Sequence, residues 1–271
     1  MKLYVHEGWT WLKDHVYIGI ILFLYQLLWG FFLYRFIEDI VVPVLHRYPN
    51  PPPTELSAQL FIMESQFHLM KTSEYTPYLW TALAFIVVHM LLTPLIHAGL
   101  FYSMAHSRVG LSFFKGIKTT WKSILFLYVL EMTVLLAPAY WFIPLAAKSL
   151  ARHPSLQTLL TDLLPFALVW ALGGWLLHHV FLFLKFGVAS ETALHRALGI
   201  GIRRLLPTLG LSALFMAIGL ACSIAVTSAA FLWTGMTALI LQQAFPAVRV
   251  FLKMWGLSAR YAVWREADNT K

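Results

Sequence analysis

The chain has 271 residues, 59% of them hydrophobic, with 20 Lys+Arg against 12 Asp+Glu for a net charge of +8 and a mean hydropathy of +0.70. Charged residues make up 12%, about half the ~25% usual in soluble domains. These values exclude an ordinary soluble domain, a disordered chain and a disulfide-stapled secreted domain, and leave a polytopic membrane protein.

A single cysteine, Cys222, allows no internal disulfide and no cysteine-based metal site. It sits in an apolar run and reads as a small buried hydrophobe. The first apolar run begins near Val16. It is too long for a signal-peptide core and no small-residue cleavage pattern follows, so Met1 onward reads as mature chain.

A transmembrane helix takes ~20 mainly apolar residues. Six stretches qualify, at about 16–37, 79–104, 123–147, 163–185, 207–231 and 236–257. The last two are parted by Leu232-Trp-Thr-Gly235, where Gly235 supplies a turn. The expected fold is all-α, one six-span membrane domain over 1–271. Of the 20 basic residues, 15 fall on one side, including Lys13, Arg108, Lys122, Lys185, Arg203, Arg204, Lys253 and Arg265. The positive-inside rule places that side, with both termini, in the cytoplasm.

In chain order, span one carries Arg35, Glu38 and Asp39 near its outer end. Offsets of 3 and 4 put both acids beside the arginine. They read as local neutralisation or as an outer polar vestibule. The outer segment 46–78 opens with Tyr48-Pro-Asn-Pro-Pro-Pro53, which cannot be helical. Thr54 can then cap a helix, and Leu56, Leu60, Met63, Phe67 and Met70 form one apolar stripe. An amphipathic helix over 54–71 is expected, lying on the outer leaflet or closing over a cavity as a lid.

Inner segments 109–122 and 190–206 mix apolar and basic residues just before a span. Their basic side chains would meet anionic lipid headgroups. The N-terminus, with Trp9, Trp11 and Lys13, has the same character. These leading segments precede spans one, three and five. Spans one and three share Ile-Leu-Phe-Leu-Tyr, at 21–25 and 124–128, 103 residues apart. The pattern suggests three two-span units in parallel.

Residues 105–131 and 189–219, notably Ala193-Leu194 before Arg203-Arg204-Leu-Leu-Pro207, resemble the six-span membrane domain of bacterial glycerophosphodiester phosphodiesterases and uncharacterised relatives. The resemblance covers about 105–257 and implies architecture alone. No soluble phosphodiesterase domain is read in the chain, so no hydrolase activity carries over.

Ionisable groups at membrane depth are costly and point to function. His97 lies seven residues from the cytoplasmic end of span two, and Glu131 eight residues into span three. His178, with His179 beside it, lies seven residues from the end of span four. At the helical rise all sit roughly 9–12 Å below the boundary. His89 is about two turns deeper. This layer reads as a substrate or proton site. Alternatively His97, Glu131 and His178 could ligate a divalent metal, or two of the histidines a haem. The plain alternative is hydrogen bonding between helices or snorkelling. There is no His-Glu-x-x-His, no Gly-x-Ser-x-Gly and no Walker loop, so no catalytic residue is assigned.

In span five, Ala213, Ala217, Ala221, Ala225 and Ala229 recur every four residues. They form a seam where a neighbouring backbone can approach closely, inside the bundle or from a partner. Pro94, Pro138, Pro144, Pro165 and Pro246 permit kinks. Gln242 and Gln243 in span six could join the outer vestibule or bond another helix.

The leading functional reading is a non-catalytic component of a bacterial cytoplasmic membrane that handles or assists transport of a small or lipid-like substrate. One alternative is a redox or metal/haem protein using His97, Glu131 and His178. Another is a structural subunit of a complex, joined through the alanine seam. No cofactor is favoured. The expected partners are membrane lipids, with other membrane subunits or an ATPase, and no nucleic acid.

Overall fold

A computed structural model describes residues 1–47, 76–106, 112–152, 156–232 and 236–269. They form α1 (Lys2–Asp14), α2 (Val16–Arg47), α3 (Thr76–Ala105), α4 (Ser112–Leu136) and α5 (Ala139–Arg152). Then follow α6 (Leu156–Ala189), α7 (Leu194–Arg203), α8 (Leu205–Leu232) and α9 (Met236–Asn269). Among the described residues there is no strand. The protein is an all-α membrane protein. The expected outer helix 54–71 and the Gly235 turn lie outside the described residues.

Among the described residues five stretches are long and apolar enough to cross a membrane: Val16–Asp39, Tyr78–Ala105, Ser112–Ala146, Leu163–Ala189 and Leu205–Ala230. The sixth expected span, 236–257, is helical as the first part of α9 but is not among them. Gln242, Gln243, Pro246, Arg249 and Lys253 dilute its apolar character.

The leading segments behave in two ways. α1 stops at His15, whose amide bonds the Leu12 carbonyl at 3.2 Å and whose ring stacks on Trp11. α6 stops where Glu191 takes a left-handed φ of 58° and the Thr192 amide returns to the Gly187 carbonyl. α7 is therefore a separate helix, ended in turn at Arg204. The segment 109–122, expected as a separate short helix, is instead continuous with its span from Ser112 onward. It contains no proline, so nothing breaks the helix until Pro138, which lacks an amide hydrogen. The Leu135 carbonyl near that break accepts the Trp170 indole N–H of α6 at 2.9 Å.

The chain divides into two compact units, Met1–Ile20 with Pro94–Lys271, and Ile21–Thr93. In the larger unit the core gathers where the basic residues cluster. Phe101, Phe113, Ile124, Phe183, Phe186, Met254 and Trp264 are all buried there. α3 and α4 touch at Gly116, where an added Cβ would fall 2.4 Å from Tyr102 Cβ. α1 lies along the C-terminal half of α9. The Trp255 indole donates to the Val5 carbonyl at 2.8 Å, and Ser258 Oγ donates to the Gly8 carbonyl at 3.0 Å. Arg265 pairs with Glu7 at 2.9 Å, and the Tyr4 hydroxyl donates to Glu266.

The apolar spans themselves are largely open. Between 6% and 22% of each span's most apolar window is buried, so lipid or partner helices must cover the rest. The alanine seam follows this pattern. Ala213, Ala217, Ala221 and Ala225 are exposed and Ala229 is half-buried. α8 packs on α9 through a different face, where Leu211 meets Ala259 and Val263 and Phe215 covers Gly256.

Candidate functional site

The site begins with Glu131, one turn beyond Tyr128 on α4 and buried at 3% exposure. A carboxylate removed from water needs a compensating charge and hydrogen bonds to both oxygens. α6 supplies both. His178 Nδ1 lies 2.7 Å from one Glu131 oxygen, and the Lys185 ammonium donates to the other. Residues seven apart on a helix return to the same face after two turns, so His178 and Lys185 grip the carboxylate from either side. Lys185 is itself buried, with its ammonium 5.7 Å from the centre of the Tyr128 ring.

The chemistry of the carboxylate fixes one tautomeric detail. While Glu131 is ionised it only accepts, so His178 Nδ1 carries the hydrogen. The ion pair with Lys185 makes the site neutral when His178 is neutral. A second proton on His178 makes it singly positive. The imidazole is the open side of the site, since the His178 side chain is 49% exposed while Glu131 and Lys185 are enclosed.

The other histidines of the expected layer divide. His97 is within electrostatic reach of Lys185, His178 and Glu131 but hydrogen-bonds none of them, and its Nδ1 is buried without a partner. Its ring lies against Phe101 at 5.5 Å. His179 points away from the carboxylate. Its Nδ1 meets the Trp175 carbonyl at 2.7 Å, and its Nε2 is buried without a partner. One residue along a helix is ~100° around it, so His178 and His179 cannot both face α4. His89 belongs to the smaller unit. There its Nδ1 lies 3.0 Å from the Tyr25 hydroxyl and its ring stacks on Trp29 at 4.9 Å. These rings border a cleft of about 270 Å3 lined by Trp29, Phe36, Phe85 and Met90.

The same geometry bears on the metal reading. Among the described residues no three His, Cys, Asp or Glu side chains gather where an ion could be held. The Lys185 ammonium occupies the carboxylate oxygen that a cation would need. Near the C-terminal end of Val16–Asp39, Arg35 pairs with Glu38 at 3.3 Å with both side chains exposed, and Asp39 joins no ion pair among the described residues. Gln243 is exposed, and the side chain of Gln242 lies outside the described residues.

Lys185 is the site residue that sequence reasoning misses, because it serves there as a marker of the cytoplasmic boundary. Its seven-residue spacing from His178 is the signal that places it on the same helix face. Comparison with protein-family models, with curated proteins and with solved structures finds no match.

Proposed function

We propose that the chain is a non-catalytic component of a cell membrane that handles a small or lipid-like substrate, with Glu131 and His178 as its protonatable site. One observation carries this reading. A buried carboxylate, already compensated by Lys185, presents a half-exposed imidazole at the open side of the site. A purely structural partner for the second oxygen could be enclosed as Lys185 is, whereas the His178 ring is half-exposed and can exchange a proton with its surroundings. Protonation of that imidazole changes the charge at membrane depth by one, which is the elementary step of proton-linked handling.

The arrangement in the membrane belongs to the same proposal. α1 packs along the C-terminal half of α9, so the two chain ends share one side. That supports an even number of crossings, with the first part of α9 as a sixth beside the five apolar spans. This agrees with the six spans implied by the resemblance to the phosphodiesterase membrane domains. The basic bias of that end supports a cytoplasmic location for both termini. A second reading, a subunit of a larger membrane complex, is favoured by the uncovered alanine face of α8.

Vesicles reconstituted with the chain and carrying a headgroup-labelled fluorescent phospholipid test the first reading. Label should cross the bilayer faster than in protein-free vesicles, and His178→Gln should remove most of the gain. No gain, or a gain that both His178→Gln and Glu131→Gln leave untouched, contradicts it.

A further inference from the structure

We propose that α7 carries a binding site for one anionic phospholipid, its phosphate held by His195, Arg203 and Arg204 and its acyl chains lying along Leu194, Leu198 and Ile202. This goes beyond the substrate-handling reading, since it involves neither Glu131 nor His178 and holds whether or not any lipid is moved.

α7 divides into three faces. The first is docked on α6: Ala197, Ile200 and Gly201 are buried, Ala197 against Gly187 and Gly201 against Phe183. The second is apolar and open, with Leu194, Leu198 and Ile202 exposed at 49%, 39% and 62%. These three are four residues apart and form one continuous strip. The third is basic and polar: His195, Arg196, Gly199 and Arg203. A soluble protein has no use for an uncovered apolar strip beside an uncovered basic one. A helix at the surface of a bilayer uses both, one for acyl chains and one for phosphates.

The basic face is shaped as well as charged. It forms one side of a pocket of about 560 Å3, lined by His195, Arg196, Gly199, Arg203, Arg204 and Ala267 of α9. Gly199 makes the notch. A Cβ built there meets nothing within 4 Å, so the space between His195 and Arg203, one turn to either side, stays open. The charges are not all free. Arg196 is engaged by Asp268, with its guanidinium 2.9 Å from the carbonyl and 3.0 Å from the carboxylate. Arg203 and Arg204 make no ion pair among the described residues. Asp268 thus neutralises Arg196 and leaves two guanidinium groups and an imidazole around the notch. Guanidinium groups bind phosphate oxygens through paired, charge-assisted hydrogen bonds.

The test uses the full chain in detergent, with lipid retained on the protein counted by native mass spectrometry after incubation with phosphatidylglycerol or phosphatidylcholine micelles. The wild type should retain one phosphatidylglycerol in preference to phosphatidylcholine. Arg203→Gln and Arg204→Gln should each weaken retention about fivefold, the effect of one basic residue near an anionic surface. Gly199→Leu changes no charge and meets open space, so it should preserve the fold yet weaken retention by a similar factor. Leu198→Gln should weaken it too. Lys118→Gln, an exposed basic residue on α4, should have no effect.

Three results would overturn the site. Equal losses from Lys118→Gln and Arg203→Gln, with none from Gly199→Leu, would mean diffuse surface attraction. Displacement of the lipid by inorganic phosphate, with Leu198→Gln silent, would mean a free-phosphate site. Failure of the wild type to prefer the anionic lipid would mean no site at all. None of these bears on the phospholipid-crossing assay for His178.

Discussion

Glu131 shows how one buried group organises its neighbourhood. Its carboxylate is tolerable at depth because Lys185 cancels the charge and His178 fills the second oxygen. Removing one partner of a buried pair leaves an uncompensated charge and costs about 3–5 kcal/mol, whereas replacing both can be nearly neutral. Lys185→Met alone should therefore lower stability in lipid nanodiscs by about that amount. The double change Glu131→Gln with Lys185→Met should recover most of the loss, read as a double-mutant cycle in thermal unfolding. Strict additivity would mean that the two side chains do not meet. That Glu131 and His178 are ionisable groups within apolar spans is legible from the sequence. Lys185 is not, because a lysine near a span end looks the same whether it snorkels outward or turns inward. The orphaned nitrogens of His97 and His179 are equally invisible, since they depend on which way each ring turns.

At the scale of elements, helices and their approximate limits follow from apolar runs, but their joints do not. The segment 109–122 has the composition of a short interfacial helix, yet from Ser112 it runs on into its span because no residue stops it. α7 has similar composition and is separate because Glu191 and Arg204 turn the chain at its ends. The pairing of α1 with α9 joins residues about 250 apart, and no local pattern announces it. Gly8 gives that pairing a test by sign. An alanine Cβ there would fall 2.8 Å from the Ala259 backbone nitrogen. In a free helix Gly→Ala stabilises by about 1 kcal/mol. Where helices are already in contact, overpacking costs about 1–3 kcal/mol. Gly8→Ala should thus lower the unfolding temperature of the protein in nanodiscs, and a rise would mean that α1 is not docked.

For the whole molecule, packing and charge point the same way. The buried aromatic core and the docked chain ends occupy the basic end, while the apolar lengths of the helices are left for lipid or partners. Composition alone makes the membrane class legible. It does not reveal that the larger unit packs tightly at one end and loosely along its spans, because apolar residues facing lipid and facing a core look alike in sequence. The central proposal is that the chain leaves the basic end and returns to it, crossing the membrane an even number of times. Single cysteines at Lys2, Lys118, Asn269 and Ser57, each in a Cys222→Ser background, test it with a membrane-impermeant maleimide on intact cells. Lys2, Lys118 and Asn269 should be protected until the cells are opened, and Ser57 should react from outside. Labelling of Lys2 and Asn269 from opposite sides would contradict the account.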